Sequence, residues 1–370
     1  MNDERQKKFR EFKDFIKGGP KCRTFLTLDP SSYAAVLAGK PGGSPTIEDE
    51  IAFHQAFPND AVIHVLPDYE RCLPELRWAR KRVKEGNDGS VFWEETLRLP
   101  SGTKRRIVAD KPGGIPWLVE PAVKSVDDFV LIDFFADRIL ESAPLLADKY
   151  SEYPLKLQEL GMLPGMVLLS AFEVYWLIDY PDMPLFFLDW PERYLRTIEK
   201  VHTANLALLE AMSKVGYELF FTGSAGLELL NPQIFIQAIV PFQRPFNDQA
   251  RRLGRSSSYH ICGHSRQLIE QGIIDQIRPT IFETCSSPPC GNNPSLGDAI
   301  ANIDAGIITK GNLSLEALLN WTPEQIIQET KCILNVTKNR RHIVGQADAT
   351  ILTGTPYENI QAFVETALQF

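Results

Sequence analysis

Short apolar runs alternate with longer amphipathic stretches through the C-terminal half of the chain. The apolar runs occupy residues 166–171, 218–222, 258–262, 280–283, 306–309 and 342–345. The helical patterns between and after them lie near residues 191–214, 232–253, 264–270, 295–304, 322–337 and 356–368. Several of these helices carry a proline in the first turn, a favoured position: Pro191, Pro232, Pro323 and Pro356. The alternation predicts buried parallel strands joined by right-handed helical crossovers.

The N-terminal part adds two further strands to this pattern. Residues 61–66 form a continuous apolar run that ends at Pro67, and residues 22–29 have the length and composition of a short strand. A helix is predicted over residues 3–17 and another from about Thr46. Eight strands with intervening helices favour an α/β fold of the (β/α)₈ TIM-type barrel class over an open sheet. No GxGxxG follows a first strand, so dinucleotide binding has no support.

A segment of different character lies between the early strand and the repeating region. Residues 71–86 are basic and are predicted to be helical, whereas residues 91–109 alternate around Ser101-Gly102 and predict a hairpin. We therefore expect one domain over residues 1–370. It carries an N-terminal extension over 1–60 and a hairpin insertion over 85–115 beside the barrel.

Composition limits the functional classes. The 370 residues are 44% hydrophobic, enough for one large core, and the formal net charge of −8 argues against nucleic-acid binding. No run of about 18 apolar residues predicts a membrane span, and the charged N-terminus lacks the apolar core of a signal peptide. The six cysteines are too sparse for a disulfide framework. A cytoplasmic protein with free thiols is the expectation.

The strongest candidate site residues are His260 and Cys262, which end one predicted strand. Side chains two residues apart on a strand point to the same face, and strand ends surround the active site of a barrel. An imidazole and a thiolate so placed can reach one zinc ion, which needs at least one more protein ligand. The alternative is a hydrogen-bonded histidine beside an apolar, packed cysteine.

Other polar residues follow neighbouring strands. Cys285 is a candidate third metal ligand or nucleophile, or an ordinary loop cysteine. Asp348 is a candidate metal ligand or general acid/base, or a helix-capping residue. The remaining candidates are acids for catalysis and small or amide residues for cofactor binding: Glu173, Glu283, Gly223, Gly311 and Asn312.

Several segments, in order and properly spaced, resemble the uroporphyrinogen decarboxylase superfamily. They are the strand and pocket loop over 217–235, the His-x-Cys-Gly strand at 259–263, the Gly-Asn turn at 310–312 and the helix start at 354–360. The resemblance runs from about residue 165 to the end, and more faintly through 105–130. It implies a (β/α)₈ barrel, in agreement with the strand count.

The resemblance implies one of two chemistries. One branch of the superfamily decarboxylates the acetate arms of a tetrapyrrole without a cofactor. In the other branch, a zinc-bound thiolate exchanges a methyl group with a corrinoid protein. The His-x-Cys motif belongs to the methyltransferase branch, where both residues bind zinc, so His260 and Cys262 take that role by resemblance.

The chain departs from both branches after its last strand. The third methyltransferase ligand, a cysteine, and the decarboxylase histidine both fall at or beside Ala349. The arginine-rich N-terminal motif of the decarboxylases is also not recognisable. A zinc site must then recruit another ligand, and the candidates are, in order, Asp348, Cys285, Glu283 and Glu173.

The leading hypothesis is therefore a zinc-using methyltransferase that works with a corrinoid protein and demethylates a small methylated compound. A lyase that acts on a tetrapyrrole or another carboxylate is the second hypothesis. A non-catalytic corrinoid- or tetrapyrrole-binding protein is the third. No nucleic-acid or membrane partner is expected, and homodimer formation stays open.

Overall fold

The computed structural model describes residues 2–40, 45–110, 116–170, 172, 177–347 and 350–370. Its strands are β1 (Phe25–Leu26), β2 (Val62–Val65), β3 (Ala79–Glu85), β4 (Val91–Leu99), β5 (Gly102–Asp110), β6 (Trp117–Glu120), β7 (Leu163–Val167), β8 (Leu219–Ala225), β9 (Ser256–Cys262), β10 (Ile281–Glu283), β11 (Ile308–Leu313) and β12 (His342–Gln346). Eight of these form one parallel sheet and the other four form a separate antiparallel sheet.

The first helices along the chain are α1 (Asn2–Ile16), α2 (Ser31–Leu37), α3 (Ile47–Ala56), α4 (Tyr69–Cys72), α5 (Val130–Lys149), α6 (Glu152–Glu159), α7 (Asp182–Asp189) and α8 (Pro191–Lys214). The later ones are α9 (Pro232–Ile234), α10 (Val240–Arg252), α11 (Arg266–Glu270), α12 (Ile273–Ile277), α13 (Leu296–Ala301), α14 (Leu315–Asn320), α15 (Pro323–Thr337) and α16 (Tyr357–Gln369). A π-helical turn, Phe235–Ile239, joins α9 to α10. In the described part of the chain, no helix combines the length and apolarity needed to cross a bilayer.

The eight-stranded sheet has the order β1-β12-β11-β10-β9-β8-β7-β2, parallel throughout, which is the strand sequence of a TIM-type barrel. The two end strands of this order, β1 and β2, meet at a seam where the barrel closes. Asp60 joins them there, in place of a ladder of strand-to-strand hydrogen bonds. Its backbone N–H donates to the carbonyl of Leu26 over 2.7 Å, and its carboxylate accepts from the Leu26 N–H over 2.9 Å. Arg23 pairs with the same carboxylate. The predicted barrel, including the strand near residues 22–29, is confirmed.

Helix α1 covers the N-terminal end of the barrel. Phe12, Phe15 and Ile16 pack on the lowest inward layer of strand residues, which includes Phe25, Leu163, Leu219, Ile281, Ile308 and Ile343. Lys13 and Lys17 both form ion pairs with Glu218, a buried residue just before β8. The bottom of the barrel is thus an apolar plug, and the open end is the one that carries the candidate site.

The antiparallel sheet confirms the hairpin but corrects the helix predicted over 71–86. The hairpin is β4–β5, turning at residues 100–101, and it lies within the larger sheet β3-β4-β5-β6. Between β2 and β3, the helical structure is limited to α4 and a short 3₁₀ turn, Pro74–Leu76. The basic residues of β3 face acidic partners instead, as when Arg80 pairs with Glu95 and Asp110. Cross-strand pairing outweighs the local helical tendency, and charged side chains suit this edge strand.

Candidate active site at the barrel mouth

A cavity of about 900 Å³ opens at the C-terminal ends of β7, β8 and β9. We call it the first cavity. Its walls are largely apolar and include Val167, Leu168, Phe221, Phe135 and Ile139. Parallel strands present their carboxyl ends at one edge of a barrel, and ligand sites in such folds lie there. The cavity has the size and position of a substrate site.

His260 and Cys262 lie together in the wall of the first cavity. Nε2 of His260 and Sγ of Cys262 are 3.0 Å apart. The histidine is buried and the cysteine is exposed. The separation is shorter than the sum of a zinc–nitrogen and a zinc–sulfur bond, about 4.4 Å, so both atoms can contact one ion. The pair thus has the atom types and spacing of two of the three protein ligands that catalytic zinc sites use.

Two residues of the neighbouring strand β8, Phe221 and Gly223, pack closely against His260. The Phe221 ring lies 5.8 Å from the His260 ring, centroid to centroid. Gly223 is the register partner of His260, and a Cβ at that glycine would lie 3.0 Å from the His260 carbonyl oxygen. A larger residue at position 223 would push β9 away. Gly223, predicted to bind a cofactor, lines the cavity beside the His/Cys pair.

Glu283 lies one strand away from His260 but is committed to a buried ion pair. Its carboxylate is 2.6 Å from Nζ of Lys310 and also accepts a hydrogen bond from Ser258. Burial alone would raise the pKa of Glu283, but the charges of Lys310 and His260 and the two hydrogen bonds outweigh burial and lower this pKa to about 2. Glu283 is therefore an anion at neutral pH, not a proton donor.

Cys285, Gly311 and Asn312 do not line the first cavity. Cys285 is fully buried within the hydrophobic core, and burial raises the pKa of its thiol to about 12. The Asn312 amide donates to the carbonyl of Cys285 over 2.9 Å. The Gly311 carbonyl lies 2.8 Å from Nε2 of His342. These contacts link the loop after β10 to β11, and β11 to the start of β12.

The third metal ligand is not found among the described residues. Within the ranges that the structure describes, no three histidine, cysteine or acidic side chains converge on one point where a metal ion would fit. Cys285 and Glu283 are thus not brought into a ligand set with His260 and Cys262. The other two candidates, Asp348 and Glu173, lie outside the described residues.

The antiparallel sheet contributes a cation to the cavity wall that the sequence pattern did not reveal. Arg106, on β5, is buried, lies 4.2 Å above the Trp78 ring and is bound by Glu95 and Glu70. Asp68, which follows β2, lies in the same wall. Arg106 reaches the cavity only because the whole sheet packs beside the barrel mouth, and no local motif signals that packing.

A second cavity, of about 510 Å³, adjoins the first at the ends of β1 and β2. Phe221, Leu66 and Val167 line both cavities. Two carboxyl groups, Asp29 and Glu50, line the second cavity, and neither was a candidate from the sequence. Asp29 follows β1, so the strand-end rule could have identified it. Glu50 lies on α3, and only the packing of that helix brings it to the mouth.

The C-terminal half of the chain matches a known protein family. The family model for uroporphyrinogen decarboxylase (URO-D) matches residues 175–370. The chain also superposes on the solved structure of a methyltransferase from Methanosarcina mazei with a TM-score of 0.65 at 13% sequence identity, covering 97% of this chain and 98% of that chain. Identity this low shows the shared barrel fold alone.

A D-psicose 3-epimerase from Clostridium cellulolyticum H10, solved with D-tagatose, aligns at 9% identity over 63% of this chain and 85% of that chain. Its TM-score is 0.36, too low to carry an argument. Among curated protein sequences, none matches the chain.

Proposed function

The chain belongs to the uroporphyrinogen decarboxylase family, and we propose that within this family it is a methyltransferase whose metal-binding core is His260 and Cys262. The observation that carries the proposal is the 3.0 Å approach of the imidazole nitrogen to the thiol in the wall of a large cavity. The Methanosarcina mazei structure, which spans almost the whole chain, is named as a methyltransferase and supports the same branch. The methyl donor is a small methylated compound, and a corrinoid protein is the partner that we propose to take up the methyl group.

The proposed cofactor is zinc, held by His260, Cys262 and a third ligand for which Asp348 is the first candidate. Bound zinc would stabilise the thiolate of a small thiol, which is the leaving group when the methylated form gives its methyl group to the corrinoid and the nucleophile when the transfer runs in reverse. Phe221 packs on the imidazole and limits its rotation. Glu283, one strand away, is already neutralised by Lys310 and so adds no net charge beside the pair. The apolar walls suit the apolar part of a small methylated substrate.

The charge of the first cavity bears on the lyase alternative. Its described lining contains three carboxyl side chains, Asp68, Glu70 and Glu228, and one permanent cation, Arg106. That cation is already bound by Glu70 and Glu95. A tetrapyrrole with several carboxylates needs free basic groups. This balance favours a neutral or cationic substrate and hence methyl transfer.

Elemental analysis of the purified protein tests the proposal. The wild type should hold about one zinc ion per chain, and Cys262→Ser should lower the zinc content at least about tenfold because one of few ligands is lost. Cys332→Ser is the matched control, since Cys332 is also an exposed free cysteine but lies on α15. Asp348→Ala should lower the zinc content as well if that residue is the third ligand.

A methyl-transfer assay completes the test. Loss of methyl from methylcobalamin, added with a small thiol, is followed by absorbance with the wild type, Cys262→Ser and Cys332→Ser proteins. Turnover by the wild type and Cys332→Ser alone supports the proposal. A wild type without zinc and without turnover refutes it, and carbon dioxide release from a porphyrinogen would favour the lyase instead.

A further inference from the structure

The second cavity contains polar groups that the proposed methyl transfer at His260 and Cys262 does not use. Thr27 is buried and lines this cavity, yet its Oγ1 has no hydrogen-bond partner in the described structure. His64 also lines this cavity, and its Nε2 is likewise buried without a described partner. A buried polar atom without a partner costs free energy unless a ligand or water meets it. The cavity is therefore built to receive hydrogen bonds that the described chain does not supply.

The charge of this cavity is unbalanced. Asp29 and Glu50 both line it, and Glu50 makes no side-chain hydrogen bond or ion pair with any described residue. Lys310 also lines it, but its ammonium is taken by Glu283. His64 adds no cation, because burial lowers its pKa to about 4. Counting Glu283, which holds Lys310, three carboxyl groups thus accompany one ammonium, and a cationic ligand would favour the ionised forms of Asp29 and Glu50 and restore the balance.

The lining decides which kind of cation fits. Among the described residues, no three candidate ligands meet at a point suited to a metal ion. Besides the hydroxyl residues Ser31, Ser32 and Thr350, much of the wall is apolar or aromatic, with Ile47, Val65, Leu66 and Phe221. A hydrated metal ion gains little from such a wall, whereas an organic ammonium buries its carbon atoms against it and directs its N–H groups to the oxygens.

We propose that the second cavity binds the ammonium group of a small organic cation, with Glu50 and Asp29 as its charged partners and Thr27 Oγ1 as a hydrogen-bond acceptor. This site goes beyond the proposed function, since it neither contains nor needs His260 or Cys262. It adjoins the first cavity through Leu66, Val167 and Phe221, so one molecule can extend from one cavity into the other. The substrate class to which it points is the small amine.

Isothermal titration of the full chain with benzylammonium chloride and with benzyl alcohol tests the charge requirement. The two probes share size and ring but differ in charge. The cation should bind at least about tenfold more tightly than the alcohol, and Glu50→Gln and Asp29→Asn should each weaken its binding about tenfold. Glu48→Gln is the matched control, because Glu48 lies on the same helix but pairs with Lys156 at the surface. That variant should bind like the wild type.

The pH dependence gives a second readout that needs no variant to fold. Burial and the charges of Asp29 and Asp49 raise the pKa of Glu50 to about 8, and burial raises that of Asp29 to about 6 against the effect of Lys310. Binding of the cation should therefore tighten as the pH rises from 6 to 9. The titratable or charged groups around Glu50 are Asp29, Asp49, His64, Tyr150, Glu283 and Lys310.

The outcomes separate this site from the proposed methyl transfer. Cys262→Ser should keep full affinity for benzylammonium even though it loses zinc and turnover. Equal affinity for the cation and the alcohol, wild-type affinity in Glu50→Gln, or no binding of the cation at pH 9 would each overturn the ammonium site. None of these results bears on zinc content, so the two proposals can fail independently.

Discussion

At the residue scale, the barrel and the helix beside its mouth carry two kinds of acid. Glu283 is neutralised by Lys310 and hydrogen bonded by Ser258, so it stays ionised and structural. Glu50 has no ion pair or side-chain hydrogen bond among the described residues, and Asp29 has only a backbone hydrogen bond from Ser31 and the attraction of Lys310, so burial raises the pKa of both and their protonation responds to pH and to ligands. The sequence alone does not separate these kinds, because the difference lies in which side chain meets each carboxyl across the barrel.

The Glu283–Lys310 pair makes the first prediction at this scale. Glu283→Gln leaves the Lys310 ammonium buried without its charged partner. The free energy of unfolding should fall by about 3–5 kcal/mol, measured by urea denaturation at pH 7. The double variant Glu283→Gln/Lys310→Met removes the stranded charge and should recover most of that loss. A single variant as stable as the wild type would contradict the importance of the pair.

Glu50 makes the second prediction, which concerns pH. Its pKa is about 8 in the folded protein and 4.5 ordinarily. A pKa raised by folding means that the folded state loses stability as the pH rises from 4.5 through 8. Glu50→Gln should therefore stabilise the protein by about 1–3 kcal/mol at pH 9 and by little at pH 5. Urea denaturation at both pH values measures this, and a gain as large in Glu48→Gln would contradict it.

At the scale of elements, periodicity predicted most of the fold. All eight barrel strands and the long helices α8, α15 and α16 lie within a few residues of their expected positions. The helix predicted over 71–86 is wrong for a physical reason. The basic residues of β3 pair with acidic residues on neighbouring strands, and no local pattern reveals those partners. In the sequence, a strand whose charged residues pair with neighbouring strands has the same polar character as the solvent-exposed face of a helix.

The candidate site was predictable to the extent that it depends on strand ends. His260, Cys262 and Gly223 meet at one cavity because side chains of like parity on adjacent parallel strands share a face. Arg106 and Glu50 were missed because a separate sheet and a helix carry them to the mouth. Their arrival depends on how elements pack, and that information is spread over the chain.

The seam between β1 and β2 gives the prediction at this scale. Asp60 is buried, accepts from the Leu26 N–H and pairs with Arg23, so Asp60→Ala leaves both a backbone donor and a guanidinium without their acceptor. The free energy of unfolding should drop by about 3–5 kcal/mol. Asp137→Ala, which breaks only the surface pair with Lys200, should cost no more than about 1 kcal/mol. Similar losses in the two variants would argue against closure by Asp60.

At the scale of the whole molecule, the family match and the folding unit have different boundaries. The matched residues 175–370 contain β8 to β12 and the helices that follow them. The first three barrel strands, β1, β2 and β7, lie before them, as does the α1 plug. A closed barrel requires all eight strands, because each open edge of the sheet exposes unpaired backbone groups.

The isolated fragment 175–370 should therefore not fold as a unit. It would expose β8 and β12 as open edges, and without α1 it would uncover the apolar layer that includes Leu219, Ile281 and Ile308. We expect no cooperative urea transition and no near-ultraviolet circular dichroism from this fragment, whereas the full chain should show both. Mixing it with the fragment 1–174 should restore the transition, since that fragment supplies β1, β2, β7 and α1. A cooperative transition of 175–370 alone would instead mean that five strands close a core without the N-terminal half.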